Sequence, residues 1–148
     1  ELNRIVIIDR EMKRLLWSWG DGELEEQHHA TLLNNGNIMV FDNGVQREKS
    51  RVIEINPITG EIEWSFTTPG FYTRLRGAAQ KLPNGNVLVT ESDKGHVFEV
   101  THKGEMVWEF WNPDVVGHSK PTRAVIYRMT RYDKNYLEPN LLTFSPKE

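Results

Sequence analysis

The sequence predicts an all-β fold built from repeated four-stranded units, and three observations support this prediction. The segment from Gln27 to Gly44 returns from Arg76 to Gly95, shifted by 49 residues. Short apolar runs alternate with glycine-containing turn signals throughout both copies, as expected for strands joined by hairpins. Trp17, Trp64 and Trp108 recur at the same place in successive copies, which predicts equivalent buried packing sites between neighbouring units.

The strands can be assigned in order along the chain. Asn35-Gly36 and Asn84-Gly85 separate the first two strands of each copy, and Asn-Gly favours tight hairpin turns because both residue types tolerate positive φ. No segment shows a sustained helical period. The apolar runs that predict strands are Ile5 to Ile8, Ala30 to Leu33, Ile38 to Phe41, Val52 to Ile55, Val87 to Val89, Val97 to Val100 and Met106 to Trp108.

Four strands in about 45 residues are typical of one blade of a β-propeller. The sequence predicts two complete blades, at 27–66 and 76–110, with half blades at both ends of a partial propeller domain covering residues 1–148. The upstream half blade is assigned to Ile5 to Ile8 and Arg14 to Trp19, and the downstream one to Ala124 to Met129 and Asn140 to Phe144. About three blades cannot close a ring, because propellers typically have 4–8. Remaining blades or a second chain are therefore expected to complete it.

Composition excludes several classes of function. The net charge is −3 and the basic residues are scattered, which argues against a nucleic-acid partner. No apolar run approaches the ~20 residues of a membrane helix. The chain has no cysteine, and its Asn-rich turns lack the carboxylates of calcium loops, so neither a metal nor a cofactor is predicted. Because Glu1 opens the chain within a repeat and is not Met, either a fragment of a longer protein or a processed chain is expected.

The first repeat carries His28 and His29 where the second has Gly77 and Ala78. Side chains alternate across a strand, so the two histidines are expected on opposite faces, with only one facing a central channel. Most histidines on strands are hydrogen-bonded packing residues, so a purely structural role for this pair is the alternative interpretation. Arg76 occupies the repeat position of Gln27 and is expected beside the same channel.

The order of motifs along the chain resembles the C-terminal half of the bacterial arylsulfotransferase family. The resemblance runs from about Arg4 to Tyr132. It rests on QHHA, NGN, FDNG, Ser50-Arg51 with VIEI, EIEW, GFYT and the Tyr-Arg pair at Tyr127 and Arg128.

This resemblance implies an exported, six-bladed propeller, in the periplasm or outside the cell. The family moves a sulfuryl group from a phenolic sulfate ester to a phenol through a sulfohistidine. The Gln-His-x-Ala match places His28 on the nucleophile position and His29 on the variable one. Arg76, Tyr127 and Arg128 are expected to bind the substrate, with an aryl sulfate and a phenol as partners and no cofactor.

Two functional hypotheses follow. The chain is either the nucleophile-bearing part of an arylsulfotransferase-like enzyme or a non-catalytic propeller module for ligand binding, protein binding or scaffolding. The family's other active-site histidines and an arginine lie in blades before this segment and have no counterpart here. Histidines that converge on His28 from other blades or chains would favour the enzyme.

Overall fold

The computed structural model describes residues 2–133 and 135–136. These residues form strands and one short 3-10 turn, η1, at Ser92–Lys94, so the all-β prediction is confirmed. The strands are β1 (Ile5–Ile8), β2 (Leu15–Trp19), β3 (His28–Leu32), β4 (Ile38–Asp42), β5 (Arg51–Ile55), β6 (Ile62–Phe66), β7 (Ala78–Lys81), β8 (Val87–Glu91), β9 (His96–Val100), β10 (Met106–Trp111), β11 (Val115–Val116) and β12 (Thr122–Arg123).

The strands pair into four antiparallel sheets. Strands β3 to β6 form one four-stranded sheet and β7 to β10 form another, each ordered as in the sequence. We call these the first and second sheets. Strands β1 and β2 form a two-stranded sheet, as do β11 and β12. The two large sheets lie where the repeat predicted four-stranded units, and no sheet closes on itself within the described part of the chain.

The Asn-Gly-Asn turns do more than reverse the chain. In the first copy, Asn35 and Asn37 each donate a side-chain hydrogen bond of 2.9 Å to Oε1 of Glu54 on β5. Glu54 is buried, and its partners supply the hydrogen bonds that a buried carboxylate requires. The second copy repeats the arrangement with Asn84, Asn86 and Glu99, at 3.1 and 2.6 Å. Each turn is thereby fastened to the third strand of its own sheet.

The main core lies between the first and second sheets. Phe71, from the loop between them, packs edge-on against Phe41 and Phe98, with ring centroids 5.6 Å apart in both pairs. Such edge-to-face contacts are favourable for aromatic rings. The apolar side chains of this core are Met39, Phe41, Val52, Trp64, Phe66, Phe71, Ala79, Val87, Val89, Phe98 and Val100. The two sheets therefore stack face to face around one continuous apolar layer.

The opposite face of the first sheet is covered by the N-terminal hairpin. Ile5, Trp17 and Trp19 pack against a buried cluster, and the indole of Trp19 donates a hydrogen bond of 2.8 Å to the carbonyl of Gly60 in the β5–β6 turn. The members of that cluster are Leu24, Ile38, Val40, Ile53 and Ile55. The first sheet is thus packed on both faces.

The prediction of three equivalent buried tryptophans is correct for one of them. Trp64 is 8% exposed and donates a hydrogen bond of 2.8 Å to the carbonyl of His102 in the β9–β10 turn. Trp17 is half-buried, and Trp108 is 39% exposed. Trp108 differs because no further sheet covers its face of the second sheet within the described residues.

The downstream strand prediction is wrong over Ala124 to Met129. These residues form no strand and run beside the second sheet. Ile126 and Met129 pack against the outer face of that sheet. The predicted strand at Asn140 to Phe144 lies outside the described residues. No helix among the described residues is long and apolar enough to cross a membrane.

Candidate functional site

A pocket of about 250 Å³ lies where β3 and β7 begin. Its walls contain every residue that the sequence assigned to a site, together with His29 and Gly77. The lining residues are His28, His29, Arg76, Gly77, Tyr127 and Arg128. Residues 100 positions apart in the chain therefore meet around one small cavity.

Both histidines line this pocket, so the prediction that strand alternation sends them to opposite faces is wrong. His29 has a φ of +52°, and the register between β3 and β4 shifts after His28. His28 pairs with Phe41, and Thr31 pairs with Met39, so three steps on β3 match two on β4. This β-bulge breaks the two-residue alternation at the pair.

The ring of His28 is held at one nitrogen. Its Nδ1 lies 2.8 Å from Oδ1 of Asn43 and 3.0 Å from the carbonyl oxygen of Glu26. Both partners are acceptors, so Nδ1 carries the proton and donates. In the neutral ring, Nε2 is then the unprotonated nitrogen, with a lone pair available to a ligand.

The orientation of Asn43 follows from its other contacts. Its Nδ2 donates hydrogen bonds of 2.9 Å to the carbonyl of Thr73 and 2.8 Å to that of Arg76. An amide nitrogen can donate to carbonyls and an amide oxygen cannot, so Oδ1 must face His28. Asn43 is completely buried. One amide therefore joins the first sheet to the loop before β7 and fixes the tautomer of His28.

The neighbours of Asn43 in the FDNG motif have separate structural tasks. Asp42 is completely buried and accepts hydrogen bonds from Arg47 at 2.7 Å and Arg51 at 2.8 Å. Its other oxygen accepts the backbone N–H of Glu25 at 2.9 Å. This carboxylate therefore fastens the loop that leads into His28.

Gly44 and Gly77 permit close approaches that a side chain would block. Gly44 has a φ of +64°, and a Cβ there would lie 2.0 Å from the carbonyl oxygen of Lys49. Gly77 has a φ of +95°, and a Cβ there would lie 2.5 Å from the ring of Phe41. Because Gly77 occupies the repeat position of His28, the second copy has no room for a histidine at that point.

His29 is anchored by the neighbouring sheet. Its Nδ1 donates to the carbonyl of Ala79 on β7 at 3.1 Å. Burial lowers the pKa of His29, and the positive charge of Arg128 lowers it further, while the bond to Ala79 acts in the opposite direction. The ring is therefore neutral at physiological pH, with Nε2 unprotonated.

The segment carrying Tyr127 and Arg128 is fixed to the second sheet on both sides of the pair. The backbone N–H of Ile126 donates to the carbonyl of Ser92 at 3.2 Å, and that of Met129 donates to Thr90 Oγ1 at 3.1 Å. The arginines of the pocket, Arg76 and Arg128, have no carboxylate within 4.0 Å among residues 2–133 and 135–136. Their charges make the pocket suitable for an anion.

No sequence motif by itself assigned a role to Asn43, although the internal repeat contains a signal for it. At the offset of 49 residues, His28 aligns with Gly77 and Asn43 aligns with Ser92. The histidine and the amide that orients it thus occur together in the first copy and are replaced together in the second.

Neither a second cavity nor a metal site in the described chain offers an alternative to this pocket. A larger cavity of about 440 Å³ lies at the far ends of β3 and β7. Its charged lining residue, Lys81, already pairs with Glu54 at 3.4 Å. The described residues contain no group of three or more His, Asp or Glu side chains that could hold a metal ion.

Comparison with known proteins gives a family and a structural relative. Residues 1–113 match the family model described as Arylsulfotransferase (ASST). A crystal structure of a protein of unknown function from Bacteroides caccae is similar, with a TM-score of 0.56 and 22% sequence identity. The similarity covers 74% of this chain and 39% of that one, so this chain spans about two fifths of that relative. No functionally curated protein matches the chain.

Proposed function

This chain belongs to the arylsulfotransferase family, and on that basis we propose that it carries the nucleophile of a sulfuryl-transfer site. His28 Nε2 takes a sulfuryl group from a phenolic sulfate ester and passes it to a phenol. Nucleophilic catalysis of this kind divides one difficult displacement into two easier ones.

The observation that carries this proposal is the anchoring of His28. Asn43 Oδ1, 2.8 Å away, and the Glu26 carbonyl, 3.0 Å away, both accept from Nδ1. This leaves Nε2 with the lone pair that must attack sulfur. As the N–S bond forms, the ring becomes positively charged, and both acceptors then stabilise that charge through a stronger hydrogen bond.

The remaining polar groups of the pocket suit the transferred group. A sulfuryl group spreads negative charge over its oxygens, and fixed cationic donors stabilise such charge best. Arg76 and Arg128 line the same cavity of about 250 Å³ as His28. Tyr127, which is 67% exposed, lines the cavity as well. We assign these three residues to substrate binding.

We also propose that the first and second sheets are consecutive blades of a propeller, with the pocket at the mouth of its channel. Two observations support this arrangement: the two sheets pack face to face, and within the described residues the outer face of the second sheet is covered only in part, by Ile126 and Met129. Remaining blades or a second chain would cover that face and supply further pocket residues. Sedimentation of the chain as a stable, compact monomer would contradict the need for such a partner.

The proposed nucleophile can be tested by trapping the intermediate. The protein is incubated with 4-nitrophenyl sulfate without acceptor, quenched at alkaline pH and mapped by mass spectrometry. We expect a sulfuryl adduct on His28, and no adduct in His28→Ala. His118→Ala is the matched control, because His118 is exposed and does not line the pocket.

Two outcomes would contradict the enzymatic proposal. An adduct on another residue would reassign the nucleophile. Absence of both adduct and turnover over a broad panel of aryl sulfates would favour the ligand-binding module. In that case, sulfate binding that is lost in Arg76→Ala or Arg128→Ala would still locate the ligand in this pocket.

A further inference from the structure

We infer that His29 is a second catalytic residue, whose Nε2 removes the proton from the acceptor hydroxyl as the sulfuryl group leaves His28. This inference rests on the proposed sulfuryl transfer and assigns a separate step within it. Neither strand alternation nor the Gln-His-x-Ala motif predicts such a role for the second histidine.

The first observation is the unusual backbone at His29. Its φ of +52° is uncommon for a residue other than glycine. Ala78, at the same position of the second repeat, instead pairs regularly with Thr90 in its sheet. The bulge in β3 turns the ring of His29 into the pocket that already contains His28. Strained backbone held in place by its surroundings is typical of functional sites.

The second observation is the way in which the ring is held. Nδ1 donates to the carbonyl of Ala79 at 3.1 Å, so the neutral ring has its lone pair on Nε2. The two histidines are fixed independently: His28 by Asn43 in its own sheet, and His29 by β7 of the next sheet. Each neutral ring therefore has an unprotonated Nε2, and both rings line the same cavity.

The charge environment favours a base rather than an acid. Burial and the nearby cation of Arg128 lower the pKa of His29 below its ordinary value of 6.5. The titratable and charged side chains that share its pocket are His28, Arg76, Tyr127 and Arg128. The pocket contains no carboxylate that would favour the imidazolium within the described residues.

The complete reaction balances with this assignment. In the first step, His28 Nε2 forms a bond to sulfur, and the S–O bond to the donor breaks with release of an aryloxide. In the second step, the acceptor oxygen bonds to sulfur, and its proton moves to His29 Nε2. The N–S electron pair returns to His28, and His29 then loses its proton to water.

The test separates the two steps with His29→Asn. Asparagine tolerates positive φ, and its amide can donate to the Ala79 carbonyl as Nδ1 does. The substitution therefore removes the base while preserving the fold, which matched thermal melts would verify. In the whole protein, we expect the burst of aryloxide from 4-nitrophenyl sulfate to slow much less than the later transfer to an acceptor, because release of the aryloxide needs no base.

Transfer from the trapped intermediate is the discriminating measurement. General-base catalysis typically contributes about 10²–10⁴-fold, so transfer to phenol should slow by about 100-fold or more in His29→Asn. Transfer to 4-nitrophenol, which is largely ionised at mildly alkaline pH, should slow much less when it is measured there. Equal slowing for both acceptors, or unchanged transfer to phenol, would overturn the role of His29.

A second measurement uses the unmodified protein. The rate of transfer to phenol should fall as pH drops through a midpoint below 6.5, the ordinary value for histidine. A rate that follows only the ionisation of the acceptor would also overturn the assignment. If no adduct forms on His28 at all, the proposed function itself fails, and that failure is visible before any acceptor is added.

Discussion

Replacing Asn43 with alanine should weaken both the fold and the candidate site. The side chain makes three hydrogen bonds, to His28 Nδ1 and to the carbonyls of Thr73 and Arg76, at 2.8 to 2.9 Å. It is completely buried, so water cannot replace these bonds. At about 1 kcal/mol for each buried hydrogen bond, Asn43→Ala should lower the free energy of unfolding by about 3 kcal/mol.

Urea denaturation of the purified protein measures this quantity. Asn34→Ala is the matched control, because Asn34 is exposed in a turn and its replacement should change stability by no more than about 0.5 kcal/mol. A loss below about 1 kcal/mol for Asn43→Ala would refute the reasoning, since it would mean that the three bonds do not tie the sheets together.

Comparing two substitutions of Asn43 separates its effect on stability from its effect on the reaction. Asn43→Asp keeps an acceptor for His28 but turns a carboxylate oxygen towards two carbonyls, so it should destabilise at least as much as alanine. Only Asn43→Ala removes one of the two acceptors that stabilise the charged ring, and it leaves the Glu26 carbonyl as the remaining partner of Nδ1. A hydrogen bond from a charged donor contributes about 1.5–3 kcal/mol. Losing it should therefore slow the aryloxide burst by roughly 10- to 150-fold in the alanine variant. An unchanged burst rate in folded Asn43→Ala would exclude this role.

Two further predictions concern the fold. Trp64→Ala should lower the free energy of unfolding by about 3–5 kcal/mol, whereas Trp108→Ala, at a 39% exposed position, should cost clearly less; equal losses in chemical denaturation would mean that both sites are equally packed. Burial alone would raise the pKa of Glu99, but hydrogen bonds from Asn86, Arg131 and Asn84 outweigh it and lower the pKa below its ordinary 4.5. Stability from this group is therefore fully present above about pH 4.5 and is lost as pH falls through the lowered pKa. Glu99→Gln should be less stable at pH 7, with the difference shrinking in acid; a gap constant from pH 7 to 3 would show that this ionisation does not stabilise the fold.

Local patterns in the sequence determined much of the architecture. The repeat, the Asn-Gly turns and the short apolar runs specify hairpins, because turn chemistry and a two-residue period act over only a few neighbouring residues. The same repeat singled out His28 and Arg76, since departures from an internal copy are visible without coordinates. The bonds from the Asn-Gly-Asn turns to Glu54 and Glu99 could also have been found, because both copies conserve the three residues at matching positions.

Only the tertiary structure decided how the site is assembled. Strand periodicity predicted one inward histidine, but a bulge with His29 at a φ of +52° brings both into the pocket. Asn43 acts through carbonyls about 30 residues away, and Arg128 arrives from a segment that pairs with no strand. Such contacts depend on how two sheets stack and on where an irregular segment crosses them, and neither is encoded in any short window of sequence. The chain therefore named His28, Arg76, Tyr127 and Arg128 as candidates, whereas their convergence on one pocket and the fixed tautomers of the two histidines follow from long-range packing.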